Sequence, residues 1–502
     1  MSSGAGGLGG AGNVVDWLFD HTDPQSIALR DSDHEVSFGA LRERVREIAA
    51  FVRERTRSDE KPIVLLVGES TVEWVSGYLG VLYAGAIAAP LPPFSSTAMD
   101  QILAETSASL VLTTDPAHAT ERPTWVAIRD IPAGSRLDAP VAMDPDALAL
   151  LLYTSGSTGR PRGVMLSTRN IVANTSAILG FCPLTREDRA LVVLPFYYCY
   201  GASVLHCHLR AGASVAFPRT GFDVDILDAL AQFDVTGLPA VSTLLRSLTA
   251  RGALRAQRPP ALRYVMASGG ALSSRTVDDL VESVPGVTVY IRYGVTELTA
   301  GASYLPPDQL DARRGSIGRG FPGAPLRVVR PDGSAVRADS VEVGEIIVAG
   351  PSVARGYFGD HEETARCFRD GAYHTGDLAR QDPDGFVYIV GREKELVKTA
   401  GHRVAPQEIE DVLLEATGVV EAGVCGVPHP TRGEALIAVL VLDATSPATI
   451  DALRAHCARR LPPHKVPIAI HTADALPRTA SGKLSRRELA KWHSVPSKKP
   501  FR

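Results

Sequence analysis

Residues 153–163 read Tyr-Thr-Ser-Gly-Ser-Thr-Gly-Arg-Pro-Arg-Gly, and no other run constrains this chain as strongly. Four Ser/Thr hydroxyls, three glycines and two arginines share one short segment. Glycine lets backbone N–H groups approach an anion closely. Thr154, Ser155, Ser157 and Thr158 add hydroxyl donors, Gly156 and Gly159 supply the close approach, and Arg160 and Arg162 add charge. By its chemistry such a loop grips phosphate. It is not a Walker A loop, because no Gly-Lys-Ser/Thr follows at the required spacing. The apolar stretch Ala147–Tyr153 before it predicts a buried strand. A Ser/Gly-rich surface turn is the bland alternative, since turns are built from the same residues. The two arginines and the core strand weigh against it.

A chain of 502 residues has room for two or more domains with large cores. Its 45% hydrophobic and 22% charged residues are those of an ordinary globular protein. The net charge of −4 and scattered basic residues give no field that would favour nucleic acid or an anionic membrane. Six cysteines form no CxxC pair and read as reduced thiols of a cytoplasmic protein. The first 13 residues lack the basic and apolar regions of a secretory signal and are expected to be a disordered tail. Their Gly-Leu-Gly-Gly-Ala-Gly imitates a dinucleotide fingerprint, but no strand precedes it. The longest apolar stretch, Trp74–Pro90, is broken by Gly77, Gly80 and Gly85. It falls short of the ~20 residues of a membrane span and predicts a buried helix running into a strand at Ala86–Pro90.

Short β-branched runs alternate with helical periods through the first 300 residues. Strands are expected at Ile63–Val67, Leu110–Leu112, Leu191–Leu194, Ser214–Phe217, Val235–Leu238, Tyr264–Ala267 and Val287–Ile291, and helices at Phe38–Arg53, Val224–Gln232 and Ser242–Arg251. This is an α/β pattern of mostly parallel sheets flanked by helices. From about residue 310 turns become dense and strands short, which predicts a small β-rich subdomain ending near 390. A last α+β unit follows, with helices Pro406–Glu415 and Ile450–Arg460 and strands Val419–Val427 and Leu436–Leu442. The expected organisation is a large domain over 14–390, a charged hinge at 391–395 and a small mobile unit over 396–502.

Further clusters look chemical. Arg292-Tyr293-Gly294-Val295-Thr296-Glu297 follows an expected strand. A ring there can stack on a base, a hydroxyl can meet a phosphate, and a carboxylate can hold a metal ion. Tyr373–Asp377 offers an aspartate after a tight turn, suited to the two hydroxyls of a ribose. Gly391–Lys394, with Lys398, Gly401, His402 and Arg403, and Arg478–Lys483, a Ser/Gly loop carrying one lysine, complete the set. Taken singly, each also reads as a solvated turn.

Their order and spacing together are specific. The chain resembles the superfamily of adenylate-forming enzymes: acyl-CoA synthetases, adenylation domains of peptide synthetases, and luciferases. The resemblance covers about residues 14–490 and is closest to free-standing acyl-CoA and acyl-carrier-protein ligases. It rests on residues 153–164, 292–297, 373–378, 391–410 and 477–489. It implies that the loop 154–162 holds the β- and γ-phosphates of ATP, and that Ser268, Gly269, Gly270, Tyr293 and Gly294 line the nucleotide site with Ile389. It further implies that Thr296 touches the α-phosphate, Glu297 holds Mg²⁺, and Asp377 and Arg392 bind ribose. Lys483 would reach the α-phosphate and the acid during adenylation. Lys394 would be the hinge, and Gly401 would lie along the tunnel for a pantetheine thiol of CoA or of an acyl carrier protein.

Two departures matter. Arg162 stands where the family usually has lysine, which keeps the charge and changes the geometry. Tyr198, in Leu194–Gly201, stands where many acyl- and aryl-activating relatives carry histidine. That segment holds no carboxylate of the kind that binds an α-amino group. Tyr197, Tyr198, Tyr200 and Gly201 therefore suggest a pocket for an apolar or aryl acid, with core packing as the alternative for the tyrosines. His206 and His208 could suggest a metal, but they share a face only on a strand and lack a third ligand. The implied reaction joins a small carboxylic acid to AMP with release of pyrophosphate, then to a thiol. An alternative keeps the adenylation and replaces the thiol by another acceptor, as in an ATP-dependent diazotase activating nitrite. A nucleotide-binding regulator without catalysis is the third reading, and Lys483, Glu297 and Asp377 together argue against it.

Overall fold

The structure is a computed structural model describing residues 12–57, 61–92, 96–119, 124–155, 161–249, 252–257, 259–270, 272–337, 342–443, 448–478 and 484–492. Two large sheets dominate it. One has six strands in the order Trp125–Ala127, Leu110–Thr113, Ile63–Val67, Ile87–Leu91, Leu148–Ser155, Pro161–Ser167, parallel except for the last. The other has eight, running from Ser303–Leu305 through Thr288–Tyr293, Tyr264–Ser268, Gly237–Val241, Arg189–Leu191, Ser214–Ala216 and Ile27–Arg30 to Glu35–Ser37. Its interior strands are parallel and both edges antiparallel.

Strand Ile63–Val67 is buried at all five residues, which is why it reads as an unbroken apolar run instead of an alternating one. Helices Val72–Tyr83, Thr168–Phe181 and Cys199–Ala211 contribute Tyr78, Ile171 and Leu205 to one core that also takes Leu152 from the first sheet and Val215 from the second. Local signals start these helices: Thr71 caps the first, and Ser167 with Asn170 forms a capping box on the second. The expected helix-into-strand reading of Trp74–Pro90 corresponds to helix Val72–Tyr83 and strand Ile87–Leu91. Among the described residues no helix is long and apolar enough to cross a membrane.

A third, antiparallel sheet forms the β-rich subdomain from Arg327–Val329, Gly344–Ala349, Ala372–Gln381 and Val387–Arg392, with Phe368–Arg369 at its edge. The C-terminal unit packs helices Pro406–Leu414 and Ile450–Arg460 on a fourth sheet, whose longest strands are Val419–His429 and Gly433–Leu442.

Three expectations change. The expected tail to residue 13 includes Asn13, which is 3% exposed, caps helix Val14–Phe19 and donates to the carbonyls of Leu82 and Val141 at 2.9 and 3.0 Å. Residues 1–11 lie outside the described residues. The expected strand Leu191–Leu194 is instead Arg189–Leu191, because the chain turns away at Pro195 towards a helix. That helix, Cys199–Ala211, was not anticipated, although Ala202, Leu205 and Leu209 carry its period. It separates the two histidines. His206 Nε2 meets the Tyr78 hydroxyl at 2.8 Å, and His208 Nε2 meets that of Tyr264 at 2.8 Å. Burial pushes both imidazoles down to about 4, so they sit neutral in the core. No disulfide joins any of the six cysteines, and burial pushes the thiols of Cys182 and Cys425 up to about 11.

Candidate active site

Three of the expected site residues, Tyr293, Asp377 and Arg392, meet where the second large sheet ends against the β-rich subdomain. Strand Thr288–Tyr293 delivers Tyr293, whose hydroxyl donates to Asp377 Oδ2 at 2.6 Å. Asp377 lies on strand Ala372–Gln381 directly opposite Arg392, whose Nε donates to Asp377 Oδ1 at 2.7 Å. Asp377 is 3% exposed, so both its oxygens are fixed from within the protein. Burial and this carboxylate push the Tyr293 phenol far above its ordinary range, and the same carboxylate raises Arg392. The tyrosine therefore remains a donor and the arginine a cation. Ile389 is half-buried on the strand that carries Arg392.

After Tyr293 the chain turns sharply. A Cβ on Gly294 would lie 1.8 Å from the Ala300 carbonyl oxygen, so only glycine permits this close fold-back. Thr296–Leu298 forms one 3₁₀ turn and Thr299 sits at φ +68°, a strained region for a β-branched residue. The loop is held from outside: Asn174 Nδ2 donates to the carbonyls of Leu298 and Gly301 at 3.2 and 2.8 Å, and Thr299 Oγ1 to that of Ser352 at 2.7 Å. The Tyr357 hydroxyl donates to Glu297 Oε1 at 2.8 Å, which orients the carboxylate expected to bind Mg²⁺.

Strand Tyr264–Ser268 runs parallel to Thr288–Tyr293 and brings Ser268, Gly269 and Gly270 alongside. Ser242 Oγ pins the Gly270 carbonyl at 2.8 Å. On the other sheet, strands Leu148–Ser155 and Pro161–Ser167 pair antiparallel with Thr154 opposite Arg162. Gly156, Ser157, Thr158 and Gly159, with Lys483, lie outside the described residues, as does the side chain of Ser155.

Arg162 has carboxylate partners of its own. Its Nε is 3.2 Å from Asp360 Oδ2 and its Nη1 3.0 Å from Glu363 Oε1. Glu363 also binds Arg366, and Lys394 Nζ of the expected hinge lies 3.9 Å from it. Arg366 foremost, with Arg162 and Lys394, holds the Glu363 carboxyl down to about 2. One carboxylate thus joins the strand after the phosphate loop to the start of the C-terminal unit. Gly401 is exposed at φ +81°, with nothing within 4 Å of where a Cβ would stand.

The tyrosines of the expected acid pocket divide. The Tyr200 hydroxyl donates to the Met266 carbonyl, while Tyr197 and Tyr198 stack edge to face at 4.8 Å and stay half-buried. A Cβ on Gly201 would lie 2.3 Å from the Pro195 carbonyl oxygen, so this glycine lets the helix begin against the preceding turn. Tyr357, Asp360 and Glu363 were not singled out from the sequence. They face residues 60 to 201 positions away in the chain, and no local spacing announces such pairings.

The profile of the family described as AMP-binding enzyme matches residues 19–358, and that of the AMP-binding enzyme C-terminal domain matches 408–483. The chain belongs to the AMP-binding enzyme family. It is 34% identical over 496 residues to a sulfoacetate–CoA ligase of Cupriavidus necator, covering 93% of this chain and 94% of the relative. It is 32% identical to a feruloyl-CoA synthase of an Amycolatopsis species, over 93% and 96%. Among solved structures, the O-succinylbenzoate coenzyme A synthetase MenE of Bacillus subtilis, in complex with ATP and magnesium ion, superposes with a TM-score of 0.84 at 28% identity, covering 95% of this chain and 99% of that one. The fold is that of adenylate-forming enzymes. The protein is an ATP-dependent, AMP-forming acid–thiol ligase: a carboxylic acid is joined to AMP with release of pyrophosphate and then transferred to a thiol. The alternative with a non-thiol acceptor gains no support from these relatives.

Proposed function

We propose that the residues gathered at the sheet ends divide the work of adenylation, and that the acid is apolar or aryl in its body and not an α-amino acid. The single observation that carries the division is the fixed Tyr293–Asp377–Arg392 group beside the Tyr357-oriented Glu297. Asp377 keeps acceptor capacity for ribose hydroxyls, with Arg392 holding it in place. Tyr293, Gly294, Ser268, Gly269, Gly270 and Ile389 frame the base, and Thr296 stands at the α-phosphate. Glu297 offers the hard oxygen that suits Mg²⁺, which when bound would neutralise phosphate charge.

An acid carboxylate and ATP repel one another, so the site must supply positive charge. Lys483 and the loop 154–162 are its sources in this reading. The carboxylate oxygen attacks the α-phosphorus and pyrophosphate leaves. Arg162, held by Asp360 and Glu363, anchors the end of that loop and shares its charge with them. The acyl-AMP is prone to hydrolysis, which gives closure by residues 396–502 about Lys394 a purpose. Gly401 then comes to the thiol path. Its open surroundings fit a conformation in which that path is not yet formed.

Segment 194–201 holds no carboxylate, so an α-ammonium would enter unpaired at a cost of several kcal/mol. Transfer to the pantetheine thiol of CoA or of an acyl carrier protein, and a cytoplasmic location, belong to the same proposal. The absence of disulfides among the six cysteines supports the latter. The test is release of AMP and pyrophosphate across apolar, aryl and α-amino acids, with and without CoA or a carrier protein. Formation of ADP and phosphate, or a marked preference for an α-amino acid, would refute it.

A further inference from the structure

Helix Thr168–Phe181 carries two asparagines one turn apart, Asn170 and Asn174, which share a face. They are 5% and 1% exposed. Each gives its amide hydrogens to a pair of backbone carbonyls. Asn170 Nδ2 donates to Pro351 and Val353 at 2.7 and 2.9 Å, and Asn174 Nδ2 to Leu298 and Gly301 at 3.2 and 2.8 Å. The two clamped segments also hold each other, because Thr299 Oγ1 donates to the Ser352 carbonyl at 2.7 Å. Glu297 lies at their junction. The Ala354 N–H donates to its backbone carbonyl at 2.9 Å, and the Tyr357 hydroxyl to its carboxylate at 2.8 Å. The segment that Asn170 holds therefore fixes Glu297 itself, and Asn174 holds the turn that follows it.

That turn would not hold itself. Thr299 sits at φ +68°, ψ −53°, and the Ala300 N–H returns to the Leu298 carbonyl at 2.8 Å. This is a γ-turn of the rare positive-φ kind, strained for a β-branched residue. A small cavity lined by Asn174, Ser203, His206 and Thr299 lies beside it, so close packing does not brace the turn on that side. Asn174 Oδ1 has no hydrogen-bond partner among the described residues. A buried amide that leaves its acceptor unpaired while aiming both donors at a strained turn gives up stability for geometry. Asn170 is tied in a further way: its Oδ1 accepts from the Ser167 N–H at 2.8 Å, at the end of the strand that carries Arg162.

We propose that Asn170 and Asn174 are positioning residues for adenylation: they clamp segments 298–301 and 351–353 to one helix and so set Glu297 where it meets Mg²⁺. This deepens the acid–thiol ligase reading and rests on its assignment of Glu297 to the metal. Misplacing a catalytic group by ~1 Å costs ~10²-fold in rate, which is the loss expected when the clamp is released.

The test uses Asn174→Ala, Asn170→Asp, Glu297→Gln and the double variant Asn174→Ala/Glu297→Gln, assayed below the melting temperature of each. Asn170→Asp keeps the oxygen that accepts from Ser167 and removes both donors. Asn174→Ala should slow pyrophosphate release roughly 10²-fold and raise the half-saturating Mg²⁺ concentration. Calorimetric titration with MgATP in the absence of acid should show weaker binding, as for Glu297→Gln. Thioester formation from supplied acyl-AMP, in which no pyrophosphate leaves, should stay near wild type. Asn170→Asp should change each readout in the same direction, and it decides the matter if Asn174→Ala does not fold. The double variant should be no slower than Glu297→Gln, because both changes act through one carboxylate. Losses that add in the double variant, or equal loss in both half-reactions, would mark a general structural role and overturn the proposal. A crippled Glu297→Gln beside wild-type behaviour of both asparagine variants would overturn it and leave the metal assignment intact. A Glu297→Gln indistinguishable from wild type would overturn the assignment and the proposal together. Absence of pyrophosphate release with every acid would count against the ligase reading itself, and the MgATP titration would then decide the proposal by the same comparison.

Discussion

Replacing Asp377 by Asn tests the nucleotide site at its most ordered point. The substitution keeps the shape and removes the charge. Tyr293 then donates to a neutral amide oxygen, and Arg392 loses its ion pair at 2.7 Å. Removing one partner of a fully buried pair costs ~3–5 kcal/mol. The Arg392 side chain is 48% exposed, so water replaces much of what it loses, and a cost of ~1–2 kcal/mol is expected instead. The effect on ATP is separable from this. A hydrogen bond from a ribose hydroxyl to a charged acceptor is worth ~1.5–3 kcal/mol, or roughly 10- to 150-fold in affinity. Wild type should therefore discriminate by about that factor in kcat/KM between ATP and the better-recognised of 2′-deoxy-ATP and 3′-deoxy-ATP. Asp377→Asn should use ATP about as poorly as wild type uses the deoxy analogue, and should no longer distinguish the two. Pyrophosphate release at saturating acid reads the nucleotide effect, and thermal melting reads the stability effect. Undiminished discrimination in Asp377→Asn would show that this carboxylate does not touch the ribose, whatever happens to the melting temperature.

Lys483→Ala should slow acyl-AMP formation ~10²–10³-fold, as loss of one oxyanion donor does, and leave thioester formation from supplied acyl-AMP nearly intact. Gly401→Leu should do the reverse, since a side chain there meets nothing in this conformation; equal damage to both half-reactions by each variant would refute domain alternation. His206 and His208 are lowered from 6.5 to about 4, so the unfolded chain binds more protons between those values. Their contribution to stability is complete above pH 6.5 and declines as pH falls towards 4, by up to ~1.4 kcal/mol per pH unit for each, measurable by denaturant unfolding. Glu363, lowered from 4.5 to about 2, stabilises above pH 4.5 and less as pH falls towards 2. Glu363→Gln should melt lower than wild type at neutral pH and close that gap in acid, and a gap that does not narrow would refute the assignment.

The features legible without the fold are those written locally. Alternating β-branched runs and helical periods determine the α/β architecture, because burial on two faces demands continuous apolar strands and cap residues start the helices where they stand. The ordered motifs identify the family, because a motif such as the tight turn at Gly294 is made by consecutive residues whose backbone geometry depends on their own side chains. The pairing of charges came from the folded arrangement alone. The sequence offers Arg162 as a phosphate ligand and gives no sign of its partners Asp360 and Glu363, 198 and 201 residues away. His206 and His208, already short of a third metal ligand in the sequence, find different tyrosines because they lie on a helix. Tyr357 gains its role from Glu297, 60 residues earlier. Arg292 looks like any charged residue at a strand end until the packing of Tyr200, Met266 and Gly301 buries it with a thioether as acceptor and no counter-charge. In each case the chemistry of a charged group depends on its solvation and nearest counter-charge, and these are set by contacts between distant segments that no local pattern encodes.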